Sequence, residues 1–112
     1  MNHQPAITVR NNPDRHRYEL LEGDTVIGKA HWVAFEEPGV PQRIFYHTVV
    51  DDARSGQGLA AKLARHALDE TIGQGLQIVP VCPYIKAFIR KHPEYRPHTV
   101  RIRPDHLEAI PC

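Results

Sequence analysis

Residues 43–81 read RIFYHTVVDDARSGQGLAAKLARHALDETIGQGLQIVPV, and a change of period inside this stretch decides the fold. Arg43–Val50 is dense in β-branched and aromatic residues and reads as a strand. After the acidic turn at Asp51-Asp52 the apolar residues recur at helical spacing. Leu59, Leu63, Ala67 and Glu70 mark one line, and Ala60, Ala64, Leu68 and Ile72 widen the stripe. This predicts a helix of about four turns lying against a sheet, ended by Gly73 and Gly75. Leu76–Val81 is a short apolar run that reads as a buried strand. A strand–helix–strand crossover of this length joins parallel strands, and the general rule makes it right-handed.

Working outward, Tyr18–Glu22 and Thr25–Phe35 are β-prone runs separated by Gly23-Asp24, a hairpin signal. A short strand, Ile7–Arg10, is expected within an otherwise loose Met1–Asn12. Pro38, Gly39 and Pro41 make Glu36–Gln42 a loop. Downstream, Pro83 suits the first position of a second helix, Pro83–Lys91, which stops before Pro93. The expected class is α+β. Antiparallel N-terminal hairpins lead into a mixed sheet with one parallel strand pair joined by a helix, and a second helix follows Cys82. A chain of 112 residues supports one domain, 1–112.

The bulk composition excludes more than it assigns. A net charge of +1, with basic residues scattered apart from a concentration between Lys86 and Arg103, makes no case for nucleic acid or an anionic membrane. No apolar run approaches the roughly 20 residues that span a bilayer, and no signal-peptide pattern opens the chain. Two cysteines, Cys82 and Cys112, do not make a disulfide framework, so a reduced, cytoplasmic protein is expected. Eight histidines, at 3, 16, 31, 47, 66, 92, 98 and 106, are dispersed, and none pairs with Cys82 at zinc-ligand spacing; no metal is expected.

The chemistry-bearing stretch is Arg54-Ser55-Gly56-Gln57-Gly58-Leu59-Ala60, between a strand and a helix. Glycines without Cβ atoms let the backbone turn sharply and a ligand approach closely. The free N–H groups of the first helical turn, together with the helix dipole, suit an anion such as a pyrophosphate. The same glycines also serve a tight strand-to-helix turn with no ligand. A Walker A loop is excluded because Lys62 is followed by Leu63, and a Rossmann fingerprint because Ala61 stands where its third glycine would.

The strand Arg43–Val50, the turn Ser55–Ala60 and the following helix resemble motif A of the GNAT acetyltransferases. The resemblance continues through His47-Thr48-x-Val50, Pro80-x-Cys82-Pro83-Tyr84 and His92-Pro93-Glu94-Tyr95, and covers about Tyr18 to Tyr95. In this order the motifs are similar to those of the minimal GNAT subfamily that carries a C-P-Y motif. The resemblance implies acetyl-CoA as cofactor and transfer of its acetyl group to an amine, of a small molecule or a protein. It implies that backbone groups at Thr48, Val49 and Val50 hold pantetheine, and that amides of Arg54, Ser55, Gly56, Gln57, Gly58, Leu59 and Ala60 hold the pyrophosphate. It also implies that the two parallel strands splay apart at the glycine turn, with the thioester in the gap. Two departures stand out: Ser55 occupies the usual Arg or Gln position, and Phe88 aligns where many members place a tyrosine acid.

Acyl transfer to an amine needs a deprotonated nucleophile, support for the oxyanion and a proton for the departing thiolate. Cys82 ends the second parallel strand and adjoins the N-cap of the next helix, a site that favours thiolate. It is a candidate acid or covalent acceptor, against the reading of a buried, inert cysteine. His47, on the cofactor strand, is a candidate base or a structural histidine; its alternation with Phe45 and Val49 points it into the core. Tyr84 is placed to reach the sulfur end of the cofactor, or to cap the helix. Trp32 and Phe35 are expected in the core, the alternative being a part in the acceptor groove. Without a strand carboxylate or a tyrosine at 88, a non-catalytic acetyl-CoA-binding or sensing module is the alternative function.

Overall fold

Five strands line up in the order in which the chain makes them. The computed structural model describes residues 6–36, 39–51 and 58–111. Strands β1 (Ile7–Asn12), β2 (Arg17–Glu22), β3 (Thr25–Phe35) and β4 (Gln42–Val50) run antiparallel to one another. Helix α1 (Leu59–Gly73) then carries the chain to β5 (Gln77–Pro80), which pairs parallel with β4. Helix α2 (Pro83–Lys91), a 3-10 turn at Pro93–His98 and the short α3 (Pro104–Glu108) follow. The expected α+β class with one parallel pair is the observed one.

Local chemistry places the element ends. Gly23, at φ 60°, makes the β2–β3 turn, and Pro83 opens α2 at its first position, where its missing N–H costs no bond. The alanine-rich stripe of α1 buries Leu63, Ala64, Ala67 and Leu68 against the sheet. Tyr18, Leu20 and Phe45 from the sheet, Ile78 from β5 and Ile85 and Ile89 from α2 join the same apolar cluster. Both longer helices therefore bury residues in one core.

A buried polar link runs through that core. Arg43 Nη1 donates to Tyr18 Oη at 2.6 Å and to Thr71 Oγ1 at 3.2 Å, and the guanidinium lies 4.3 Å from the Trp32 ring centroid. Tyr18 Oη in turn donates to Glu70 at 2.9 Å. Trp32 is thus core, as expected, whereas Phe35 is half-buried against the His106 ring.

Two features were not foreseen. Helix α3 brings in the fully buried His106, whose Nδ1 accepts from the Arg103 N–H at 3.0 Å. The proton of that neutral ring then sits on Nε2, which meets Gln42 Oε1 at 2.7 Å and donates to it. The second is a bulge in β4: His31 pairs with His47 and Trp32 with Phe45, leaving Tyr46 opposite no residue. Among the described residues no helix is long and apolar enough to cross a membrane.

A candidate active site where the parallel strands part

Strands β4 and β5 are in register from Gln42↔Gln77 to Phe45↔Pro80 and no further. The Cys82 N–H makes a last bond to the Phe45 carbonyl at 2.8 Å. Beyond it the chain turns into α2, while β4 runs on to Val50 without that neighbour. The two strands part here because Pro83 fixes a helical φ one residue after Cys82. A wedge opens along one edge of β4.

The bulge decides which side chains face the wedge. Ala30 is in the core and pairs with Thr48, so Thr48 lies on the helix-covered face with Phe45, three residues earlier. Its hydroxyl accepts from Cys82 Sγ at 3.4 Å, across the opening. Val50 faces the same way and packs against the core. His47 and Val49 take the outer face, where Val49 is 44 % exposed and His47 stacks on His31 at 5.8 Å between ring centroids. The expected inward direction of His47 is therefore corrected: one extra residue at Tyr46 reverses the alternation between Phe45 and His47. Burial, then the charge of His47 and those of Arg17 and Lys29, holds the His31 imidazole below its ordinary value.

The structure brings Cys82 and Thr48 together, places Tyr84 near enough to Cys82 to feel its charge, and leaves His47 on the other side of the strand. Cys82 is the N-cap of α2 and is buried; Tyr84, in the first turn, is 36 % exposed. Burial, and next the charge of the neighbouring Cys82, pushes the Tyr84 phenol above its ordinary value, so it keeps its proton at neutral pH.

Arg54, Ser55, Gly56 and Gln57 lie outside the described residues. Gly58 is the N-cap of α1 at φ 72° and ψ 11°, a left-handed conformation that favours glycine. The first intrahelical bond is Lys62 N–H to Gly58 O at 3.1 Å, so the geometry of a helix start leaves the amides of Leu59, Ala60 and Ala61 without intrahelical acceptors. Among the described residues no side chain caps this end, and no acidic residue stands in the first turn. Next to it a cavity of about 260 Å³ opens between the two helices, lined by Ala61, Tyr84, Ala87, Phe88, Lys91 and His92. Among the described residues, a helix start without a side-chain cap, a β4 edge without a partner strand beyond Phe45 and an adjoining cavity together fit a long anionic ligand with an extended arm. Sequence reasoning missed Ala61, Ala87, Lys91 and His92 as cavity residues, and the Thr48 hydroxyl as a partner of Cys82. Nothing in one dimension announces that α2 turns this face toward α1.

Comparison with known proteins agrees with this geometry. Residues 17–98 match the family model described as GCN5-related N-acetyl-transferase. The chain is 27% identical over 89 residues to Protein NATD1 of Xenopus tropicalis, a match covering 80% of this chain and 82% of that one. Protein NATD1 of Bos taurus is 40% identical over 47 residues, which span 42% of each chain. A GCN5-like protein of Staphylococcus aureus, solved by NMR, has the same fold. Its TM-score is 0.63 at 16% identity, over 88% of this chain and 93% of that one. The left-handed Gly58 at the start of α1 and the parted parallel strands agree with the match over residues 17–98, and that match gives the assignment: the chain belongs to the GCN5-related N-acetyltransferase family.

Proposed function

We propose that this protein is an acetyl-CoA-dependent N-acetyltransferase that acts on an amine, with its proton chemistry at Cys82, Tyr84 and His47. The observation that carries the reading is the Cys82 Sγ–Thr48 Oγ1 contact of 3.4 Å, which sets a thiol at the mouth of the wedge between the parallel strands. The Cys82-Pro83-Tyr84 sequence supports placement in the minimal subfamily that carries this motif.

Acetyl-CoA would supply an acetyl group activated as a thioester. On this chain, Gly58, Leu59 and Ala60 present main-chain donors and the α1 dipole to the diphosphate. The free edge of β4 at Thr48, Val49 and Val50 presents backbone groups to the pantetheine amides. Tyr84 keeps a proton beside the wedge for the departing thiolate, and the Cys82 thiol that donates to Thr48 is a second donor there. Phe88 has none to give. The outer face of β4 is then the side for the acceptor amine, where the exposed His47 is placed to accept a proton.

Turnover of acetyl-CoA over an amine panel, with lysine peptides and polyamines included, tests the reading. Release of CoA that requires an amine is the expected result. Phe88, and the lack of any carboxylate in β4, favour one competing reading, a binding or sensing module. Saturable acetyl-CoA binding without transfer to any amine, or to Cys82, would establish that reading instead.

A further inference from the structure

We infer that the far end of the α1–α2 cavity, at Lys91 and His92, is a phosphate subsite that reads the 3′-phosphate of CoA; this rests on the acetyl-CoA reading above. The cavity has two chemically different ends. Tyr84, beside Cys82, stands in the first turn of α2, while Lys91 closes the helix and His92 is its C-cap. With a rise of 1.5 Å per residue these ends lie about 10 Å apart. A CoA whose thiol lies by Cys82 has its arm near Tyr84 and brings its later, anionic part toward Lys91 and His92.

The far end is built for an anion by side chains. Arg65 Nη2 lies 3.3 Å from His92 Nδ1. A guanidinium can only donate, so Nδ1 accepts, and the proton of the neutral ring sits on Nε2 as a donor. Besides Arg65, Phe88 holds the ring, at 4.3 Å between centroids, and the Arg65 guanidinium itself sits 5.6 Å from the Phe88 centroid. Lys91 is exposed and makes no ion pair among the described residues. Among the described residues, Glu94 is the carboxylate within 4 Å of Arg65, at 3.8 Å, and of His92, at 3.9 Å, and its side chain is 58% exposed, so it neutralises the group weakly. The C-terminal end of the α2 dipole opposes an anion, and Arg90 and Lys91 in the last turn offset it. An anion here is thus held by side chains and not by helix amides, which makes substitution a clean probe.

The test is calorimetric titration of the full chain with CoA and with dephospho-CoA, for wild type, Lys91→Gln and the Lys91→Gln/His92→Gln double variant. Wild type is expected to bind CoA about tenfold or more tightly over dephospho-CoA, the worth of one hydrogen bond to a charged group. Lys91→Gln should remove most of that ratio by weakening CoA alone, and the double variant should remove the rest. Equal wild-type affinities, or a ratio that survives both variants, would overturn the subsite while leaving the acetyl-CoA reading in place. Binding of neither ligand would overturn both.

Discussion

Cys82 joins three parts of the molecule through three different groups. Its N–H ties the end of β5 to the Phe45 carbonyl, its position before Pro83 starts α2, and its sulfur reaches Thr48. Removing only the sulfur separates chemistry from architecture. Cys82→Ala is expected to lower kcat about 10²–10⁴-fold, the usual worth of general acid–base help, with acetyl-CoA affinity nearly unchanged. Turnover that survives the substitution would assign the thiol a packing role. Gly58 is the opposite case, a residue chosen for its backbone. A Cβ there would meet nothing within 4 Å, yet φ +72° is strained for any L side chain. Gly58→Ala should destabilise the fold by about 1–2 kcal/mol in urea unfolding and weaken CoA binding as the α1 start shifts.

Among the elements, β4 was legible as a strand and illegible as a surface. Its β-branched and aromatic residues announce extended backbone, but strict alternation sends His47 inward with Phe45. The bulge at Tyr46 reverses this, and it arises from the register with β3, which β4 alone does not encode. The outer face of β2 carries another feature set by neighbouring strands. Glu19, 1% exposed, accepts from Arg10 Nε at 2.9 Å, Arg17 Nε at 2.7 Å and Asn12 Nδ2 at 3.3 Å. Burial alone would raise its carboxyl, but the hydrogen bonds from Arg17, Arg10 and Asn12 outweigh this and hold it below the ordinary value of 4.5. A depressed carboxyl stabilises the fold above its ordinary value, and that contribution is lost as pH falls through the folded-state value. Urea midpoints of wild type should therefore drop below pH 4.5, while those of Glu19→Gln start lower and fall less steeply. Parallel curves for the two proteins would show that Glu19 is not the group responsible.

For the whole molecule, the site is a seam between distant segments. The wedge needs β4 and Cys82, 34 residues apart; the cavity needs α1 and α2; the His92 donor needs Arg65, 27 residues away. A ligand that bridges the seam should stabilise the entire fold. CoA at 100 times its dissociation constant is expected to add about 2.7 kcal/mol to the unfolding free energy. A melting temperature indifferent to CoA would remove the basis of the functional proposal.

By itself the sequence determined what depends on near neighbours. The Gly23-Asp24 turn, the α1 stripe from Leu59, the stop before Pro93 and the helix start at Pro83 follow from dihedral preferences and side-chain period within a few residues. Motif spacing added the expectation of a diphosphate at the glycine turn. Only the tertiary structure decided that Thr48, not His47, meets Cys82, that α3 buries His106 against Gln42, and that Lys91 and His92 close a cavity. The physical reason is register and packing. One inserted residue reverses a strand's faces, and contacts between segments far apart in the chain leave no local signature in either.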